Sequence, residues 1–202
     1  VHIHAIGDQA NRNVLDAIEA TRRAGIGLHL RHRIEHAQVL HPADLPRFAE
    51  LQVIASMQPI HCTQDIVLAD RHWGERSRLA YAWSSLLSSG AMLAFGSDAP
   101  VETPDVMQGI YAAVTRRRAD GYPGAEGWRP EECMSVEEAL YAYTLGAAYA
   151  GGEEASKGSL TPGKLADFAV LDRDILTITA EEILTTPVSA TMVAGEFVHE
   201  AF

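Results

Sequence analysis

The stretch Ala91-Met92-Leu93-Ala94-Phe95-Gly96-Ser97-Asp98-Ala99-Pro100 decides the fold. Its first five residues are apolar without interruption, which fits a short strand covered on both faces. The polar pair Ser97–Asp98 falls where that strand should end. Three earlier segments read in the same way: Val1–Ala5, the run Ile26–His36 with its strand ending at Ile34, and Val53–Met57, closed by Pro59. Helical patterns lie between them. Asp8 reads as an N-cap before Ala10, Val14 and Ile18, and Gly25 stops that helix. Pro42–Glu50 carries Leu45, Phe48 and Ala49. Glu75–Ser89 turns Leu79, Trp83, Leu86 and Leu87 inward and is closed by Gly90, and Asp105–Arg118 is amphipathic.

Strands alternating with helices imply βαβ units and a parallel sheet. The polar residues His4, Glu35–His36, Gln58 and Ser97–Asp98 then punctuate strand C-terminal ends. In parallel α/β folds that edge carries ligands and chemistry. Past a loop rich in Gly and Pro (121–132), Ser135 and Glu138 form a capping box that opens a helix over Val136–Ala150. The remainder changes character. Leu165–Leu171, Val188–Val193 and Phe197–Glu200 read as strands of a small, separate β region.

The chain has 202 residues, 47% hydrophobic and 21% charged, enough to bury a core and too apolar for a disordered tail. Net charge is −11, which argues against a nucleic-acid partner, because no basic face would neutralise phosphates. Arg22–Arg23 and Arg116–Arg117–Arg118 are the basic clusters, read as solvated residues compensating helix dipoles. No apolar run approaches the ~20 residues of a membrane span, so no membrane role is expected. Cys62 and Cys133 make no disulfide framework, which suits a reducing cytoplasm. The opening Val1-His2-Ile3-His4 starts inside a strand and reads as part of something longer.

His4, His36 and Asp98 each follow a strand, and in a barrel-like sheet all three converge on one mouth. Two neutral imidazoles and a carboxylate suit Zn²⁺ or a similar divalent ion. Such an ion polarises a carbonyl and lowers the pKa of bound water to about 7, while a nearby aspartate moves the proton. Some roles stay open. Glu35 either orients His36 or forms an outward salt bridge, and His61 is either a pocket residue or an ordinary loop histidine. Trp73, Trp83 and Trp128 read as packing residues, and Asp167 as the stabiliser of the turn into the first strand of the small β region. Cys62 lies near the mouth, but no base is placed for it.

Several motifs resemble the amidohydrolase superfamily, specifically its family 3 branch with the N-substituted formamide deformylase-like proteins. They are His4-Ala-Ile-Gly-Asp8-Gln-Ala-Asn11, Arg33-Ile-Glu-His36-Ala-Gln38, Met57-Gln58-Pro59, Gly74-Glu-Arg76, Gly96-Ser-Asp98-Ala-Pro-Val101 and Gly158-Ser-Leu-Thr-Pro-Gly-Lys-Leu-Ala-Asp167. The resemblance covers essentially the whole chain, in order, and is to that family's C-terminal portion only. It implies an α/β fold: the C-terminal half of a (β/α)8 metal-dependent hydrolase barrel plus part of a small β-sandwich. Residues 1–155 would be the last four βα units and trailing helices, and 156–202 the C-terminal part of the sandwich. It implies a divalent metal, with zinc first, one or two ions in an intact enzyme, and hydrolysis of amide-like C–N bonds in small molecules. His4 and His36 would hold metal. Asp98 would contact metal and act as general acid and base. Gln58, His61 and Arg76 would face substrate. The family's first-strand His-x-His pair, its fourth-strand bridging carboxylate or carboxylated lysine, and the N-terminal half of the sandwich are absent from this sequence. Four βα units leave open sheet edges. A second copy closing the ring about a two-fold axis, or a separate N-terminal half, would complete the barrel. The alternative function is a catalytically incomplete subunit that associates through those edges.

Overall fold

The computed structural model describes residues 1–201. Strands β1 (His2–Ala5), β2 (His32–His36), β3 (Val53–Met57) and β4 (Leu93–Phe95) form one parallel sheet in chain order. Three crossovers connect them: helix α1 (Asp8–Arg23); a 3₁₀ turn at Pro42–Asp44 running into α2 (Leu45–Glu50); and a longer path through α3 (Pro59–Trp73), a 3₁₀ segment Gly74–Leu79 and α4 (Trp83–Ser88). Helix α5 (Val106–Thr115) follows β4. This unreversed strand order is the winding of a barrel rather than of a doubly wound sheet. Ala5 sits opposite His36, and Met57 opposite Phe95, so the strand ends form a common rim. The α/β expectation therefore holds: four βα units precede a separate antiparallel sheet.

Helix α1 buries Asn11, Leu15 and Ile18, three residues at helical spacing, and places Arg22 and Arg23 at its C-terminal end. Its N-cap is Gly7, not Asp8, and the Asp8 side chain is turned to Arg76 instead. Asn11 fixes the β1–α1 loop. Its fully buried amide donates to the carbonyls of Ile6 (3.2 Å), Gly7 (2.9 Å) and Val39 (3.1 Å), tying this loop to the one after β2. The second strand is shorter than its apolar run. Gly25 and Gly27 adopt φ +71° and +64°, so 26–31 is a connection and pairing begins at His32.

Two segments depart from the sequence reading. Pro59 does end β3, but it also opens α3. As the first helical residue it loses no hydrogen bond and its fixed φ suits the helix. The helix expected over Glu75–Ser89 is broken in the middle. Ala80 is extended and bridges Val39, and Tyr81 has φ +54°. The broken segment is held from a distance by Arg116. That residue is fully buried, and its guanidinium donates to the carbonyls of Trp128 (2.6 Å), Tyr81 (2.7 Å) and Ala80 (3.0 Å). It also lies over the Trp83 and Trp128 rings, at 4.6 and 5.2 Å. The solvated reading of the 116–118 cluster is thus wrong for Arg116, whereas Arg117 and Arg118 pair with Glu181 and Asp120.

The capping box forms as expected, with Ser135 and Glu138 bonding each other's backbone N–H. It opens α6 (Val136–Tyr141), which continues through a π turn (Ala142–Gly146) into α7 (Ala147–Gly151). The trailing sheet contains β5 (Phe168–Leu171), β6 (Val188–Val193) and β7 (Glu196–Glu200), all antiparallel, with helix α8 (Ala180–Ile183) before β6. Ile175 and Ile183 join the same apolar cluster as Leu15, Ile34 and Trp83, so this region packs against the parallel part. Asp167 accepts the Ala194 N–H at 2.7 Å and so holds the β6–β7 turn, not the turn into its own strand that its place in the sequence suggests. No helix among the described residues is long and apolar enough to cross a membrane.

Candidate metal centre

The rim gathers side chains from all four parallel strands. His4 lies within β1 near its end, His36 closes β2, Gln58 follows β3, His61 lies in the first turn of α3, and Asp98 stands three residues past β4. The His4 and His36 rings meet edge to face with centroids 4.4 Å apart. His61 stacks on the other side of His36 at 5.7 Å and 20°. Its Nε2 lies 3.7 Å from Asp98 Oδ2. One donor atom from each of His36, His61 and Asp98 lies within 4.8 Å of the others.

The backbone is bent to make this possible. His36 and Ala37 have φ +76° and +44°, and Asp98 has φ +59°, conformations that β-carbon sterics disfavour. Such strain persists where the surroundings over-determine it, and it clusters at functional sites. The surroundings here are specific. Ala37 N–H donates to Ala5 O (3.0 Å), Val39 N–H to Ile6 O (2.9 Å) and Tyr81 N–H to Gln38 O (2.7 Å). Gln38 itself is buried and donates to Tyr81 Oη at 2.5 Å, while that hydroxyl donates to Asp65 Oδ2 at 2.5 Å. Burial and the adjacent carboxylate hold Tyr81 well above its ordinary titration range, so it stays a donor.

His36 is chemically prepared to give a lone pair. Burial pushes its imidazole below the ordinary histidine range, and the neighbouring His4 adds to that effect. Gln58 and Asp98 act the other way. Gln58 Oε1 lies 2.9 Å from His36 Nδ1. With the proton on Nδ1 donated to this amide, Nε2 is the nitrogen left to bind a cation. Metal-binding histidines are commonly held by a partner in this way. His61 Nε2 is buried and has no hydrogen-bond partner among the described residues. An unsatisfied buried polar atom carries a cost of about 1–3 kcal/mol, which a ligand would remove. Two imidazoles and a carboxylate fit zinc and similar divalent ions by donor chemistry.

Arg76 is not in this group. Its Nε donates to Asp8 Oδ2 at 2.9 Å, and this partner raises its pKa while lowering that of Asp8. The pair borders a cleft of about 530 Å³ lined in part by Leu40, His41, Leu45 and Leu79. Glu35 pairs with Arg33 at 2.5 Å, which settles the salt-bridge alternative for that residue. Cys62 is fully buried and its thiol is pushed up to about 11 by burial, so it offers no thiolate to the rim. Trp83 and Trp128 are core residues. From sequence alone His61 is equally a pocket or a loop residue. The signal that would have placed it was Pro59, because a helix opening there puts His61 in its first turn, directly over the strand ends.

The sequence profile described as the Amidohydrolase family matches residues 1–199. Protein LONG AFTER FAR-RED 3 of Arabidopsis thaliana is 39% identical over 97% of this chain and 33% of its own length. Putative amidohydrolase YtcJ of Bacillus subtilis is 36% identical over 99% of this chain and 37% of its own. N-substituted formamide deformylase of Arthrobacter pascens is 30% identical over 98% and 36%. Among solved structures, an uncharacterized metal-dependent hydrolase from Pyrococcus furiosus superposes with TM-score 0.70 at 36% identity, over 88% of this chain and 34% of that one. Another from Pyrococcus horikoshii gives TM-score 0.74 at 32% identity, over 89% and 35%. The chain thus spans about a third of the length of the curated relatives it matches.

Proposed function

The chain belongs to the amidohydrolase family, and from that premise we propose that it carries the proton-transfer aspartate and part of the metal-binding set of a metal-dependent hydrolase. The substrates proposed are small molecules with amide-like C–N bonds, a class suggested by the similarity to the formamide deformylase. His4, His36 and Asp98 would hold the cation, and zinc suits their donor atoms best. A divalent ion at this rim supplies a Lewis acid that polarises a carbonyl and activates water near neutral pH. Asp98 takes the proton of the attacking water and returns it to the departing nitrogen. Gln58 holds the His36 ring through Nδ1, in addition to the substrate contact that the resemblance implies for it. Arg76 borders the nearby cleft, on the substrate side of the proposal.

The approach of His36 and Asp98 at the strand C-terminal edge, with the His4 ring against His36, supports this reading, although His4 lies outside the group of donor atoms that stand within 4.8 Å of one another. Its test is zinc titration of the full chain by calorimetry after chelator treatment. The expected result is saturable binding that a His36→Ala variant loses. An unaltered isotherm in that variant, or no binding by the parent chain, would remove the proposal. A Gln58→Ala variant should bind zinc roughly 10–100-fold more weakly, the usual cost of losing an outer hydrogen-bond partner.

One observation favours a second reading, association with another chain. Among the described residues β1 has a hydrogen-bonded strand neighbour on one side only, and His2 and His4 on it are exposed. An open parallel edge presents unpaired backbone groups. Light scattering on the chain at micromolar concentration should then give a dimer or larger species, and a monomer would count against this reading.

A further inference from the structure

We propose that His61 is itself a ligand of the rim cation, so that the loops after β2, β3 and β4 each contribute one donor: His36, His61 and Asp98. This rests on the metal-binding reading above and extends it to a residue first placed on the substrate side. Separation is the first observation. His61 Nε2 and Asp98 Oδ2 are 3.7 Å apart. That is too long for a hydrogen bond, which needs about 2.7–3.2 Å. It is close to the spacing of two ligands on one tetrahedral zinc, about 3.3–3.5 Å for bonds near 2.0–2.1 Å. Those two atoms and one from His36 lie within 4.8 Å of one another, so small side-chain rotations bring all three to one ion.

Burial is the second observation. His61 Nε2 is enclosed and has no protein partner among the described residues, although it is turned toward Asp98. An imidazole nitrogen placed this way lacks only an acceptor or a cation. The first turn of helix α3 is well packed around it. Ile60, Cys62 and Thr63, on either side in sequence, are buried, and His61 N–H is bonded to Gln58 O at 3.1 Å. The backbone of the first turn is therefore held, and the ring lies nearly parallel to that of His36 with centroids 5.7 Å apart.

Cobalt(II) serves as the probe, because its visible absorption reports both affinity and coordination. The full chain, His61→Ala and His61→Phe are each titrated with Co²⁺, and their metal-free melting curves are recorded. Phenylalanine keeps an aromatic ring against His36 and removes the donor nitrogen. Both variants should bind Co²⁺ about 100-fold more weakly or worse, beyond the roughly 10–100-fold effect of losing an outer partner. The absorption of any residual complex should change, and the metal-free melting temperatures should stay close to that of the parent. If both variants bind cobalt as the parent does, His61 is not a ligand and the proposal falls while the metal reading stands. If His61→Phe binds normally and only His61→Ala is weak, the ring acts by packing and the proposal also falls. If the parent chain binds no cobalt, the metal reading falls and this inference falls with it.

Discussion

Replacing Arg116 with alanine should lower the unfolding free energy of the chain by about 3–5 kcal/mol, measured by urea denaturation. The guanidinium is fully enclosed and satisfies three backbone carbonyls, those of Ala80, Tyr81 and Trp128. Each acceptor left without a donor in the interior costs about 1–3 kcal/mol, offset in part by water entering the space. The Trp83 and Trp128 rings also lose the cation between them. A lysine there should recover only a fraction, because its three N–H donors sit on one nitrogen, whereas the carbonyls are reached from Nε, Nη1 and Nη2 of a planar guanidinium. The effect reaches the rim. Tyr81 N–H holds Gln38 O, two residues beyond His36, so loosening the 80–81 segment frees the loop that aims that histidine. A loss below about 1 kcal/mol would show that the three carbonyls find other donors.

Gly146→Val should be comparably damaging, for a different reason. A β-carbon at residue 146 would stand 2.2 Å from Leu93 O, a backbone atom of β4 that cannot swing away. The π turn must lift off the sheet, or β4 must move. Overpacking of a fitted core costs about 1–3 kcal/mol and occasionally more. A backbone clash with a β-branched residue falls at or above the top of that range, about 3 kcal/mol. Helix propensity offsets little, since glycine in a helix interior gives up only about 0.5–1 kcal/mol relative to alanine. Because β4 leads directly to Asp98, the variant should also weaken metal binding. Thermal melts and zinc titrations on the same sample check both effects. A variant with unchanged melting temperature would show that the helix does not rest on β4 through residue 146.

The elements that could be read from sequence are those whose local pattern and tertiary setting agree. The β3 and β4 runs are short and, Ser56 apart, apolar, and both are central to the core. The Ser135–Glu138 box forms because its signal is local. Helix α3 was hidden because Val67 and Leu68 are exposed, at 53% and 55%, and blur the apolar stripe carried by Ile60, Ile66 and Ala69. The break at Ala80–Tyr81 is invisible in a run that otherwise suits a helix, since what holds it is a guanidinium 35 and 36 residues away in sequence. A consecutive arginine triplet reads as surface, yet Arg116 is buried where α5 ends in a left-handed residue. At the rim, the sequence pointed to His4, His36 and Asp98 because each closes or follows a strand. The approach of His61 to Asp98 depends on a helix starting at Pro59, a residue that in the apolar pattern marks only the end of a strand.

The most direct measurement is an anomalous difference map, recorded above the zinc absorption edge, from crystals of the full chain grown with zinc. One strong peak should appear at the strand C-terminal rim, within about 2.0–2.2 Å of a His36 nitrogen and an Asp98 carboxylate oxygen. A peak at any other group of residues, or a rim without one in zinc-saturated crystals, would contradict the assignment of these side chains to a shared cation.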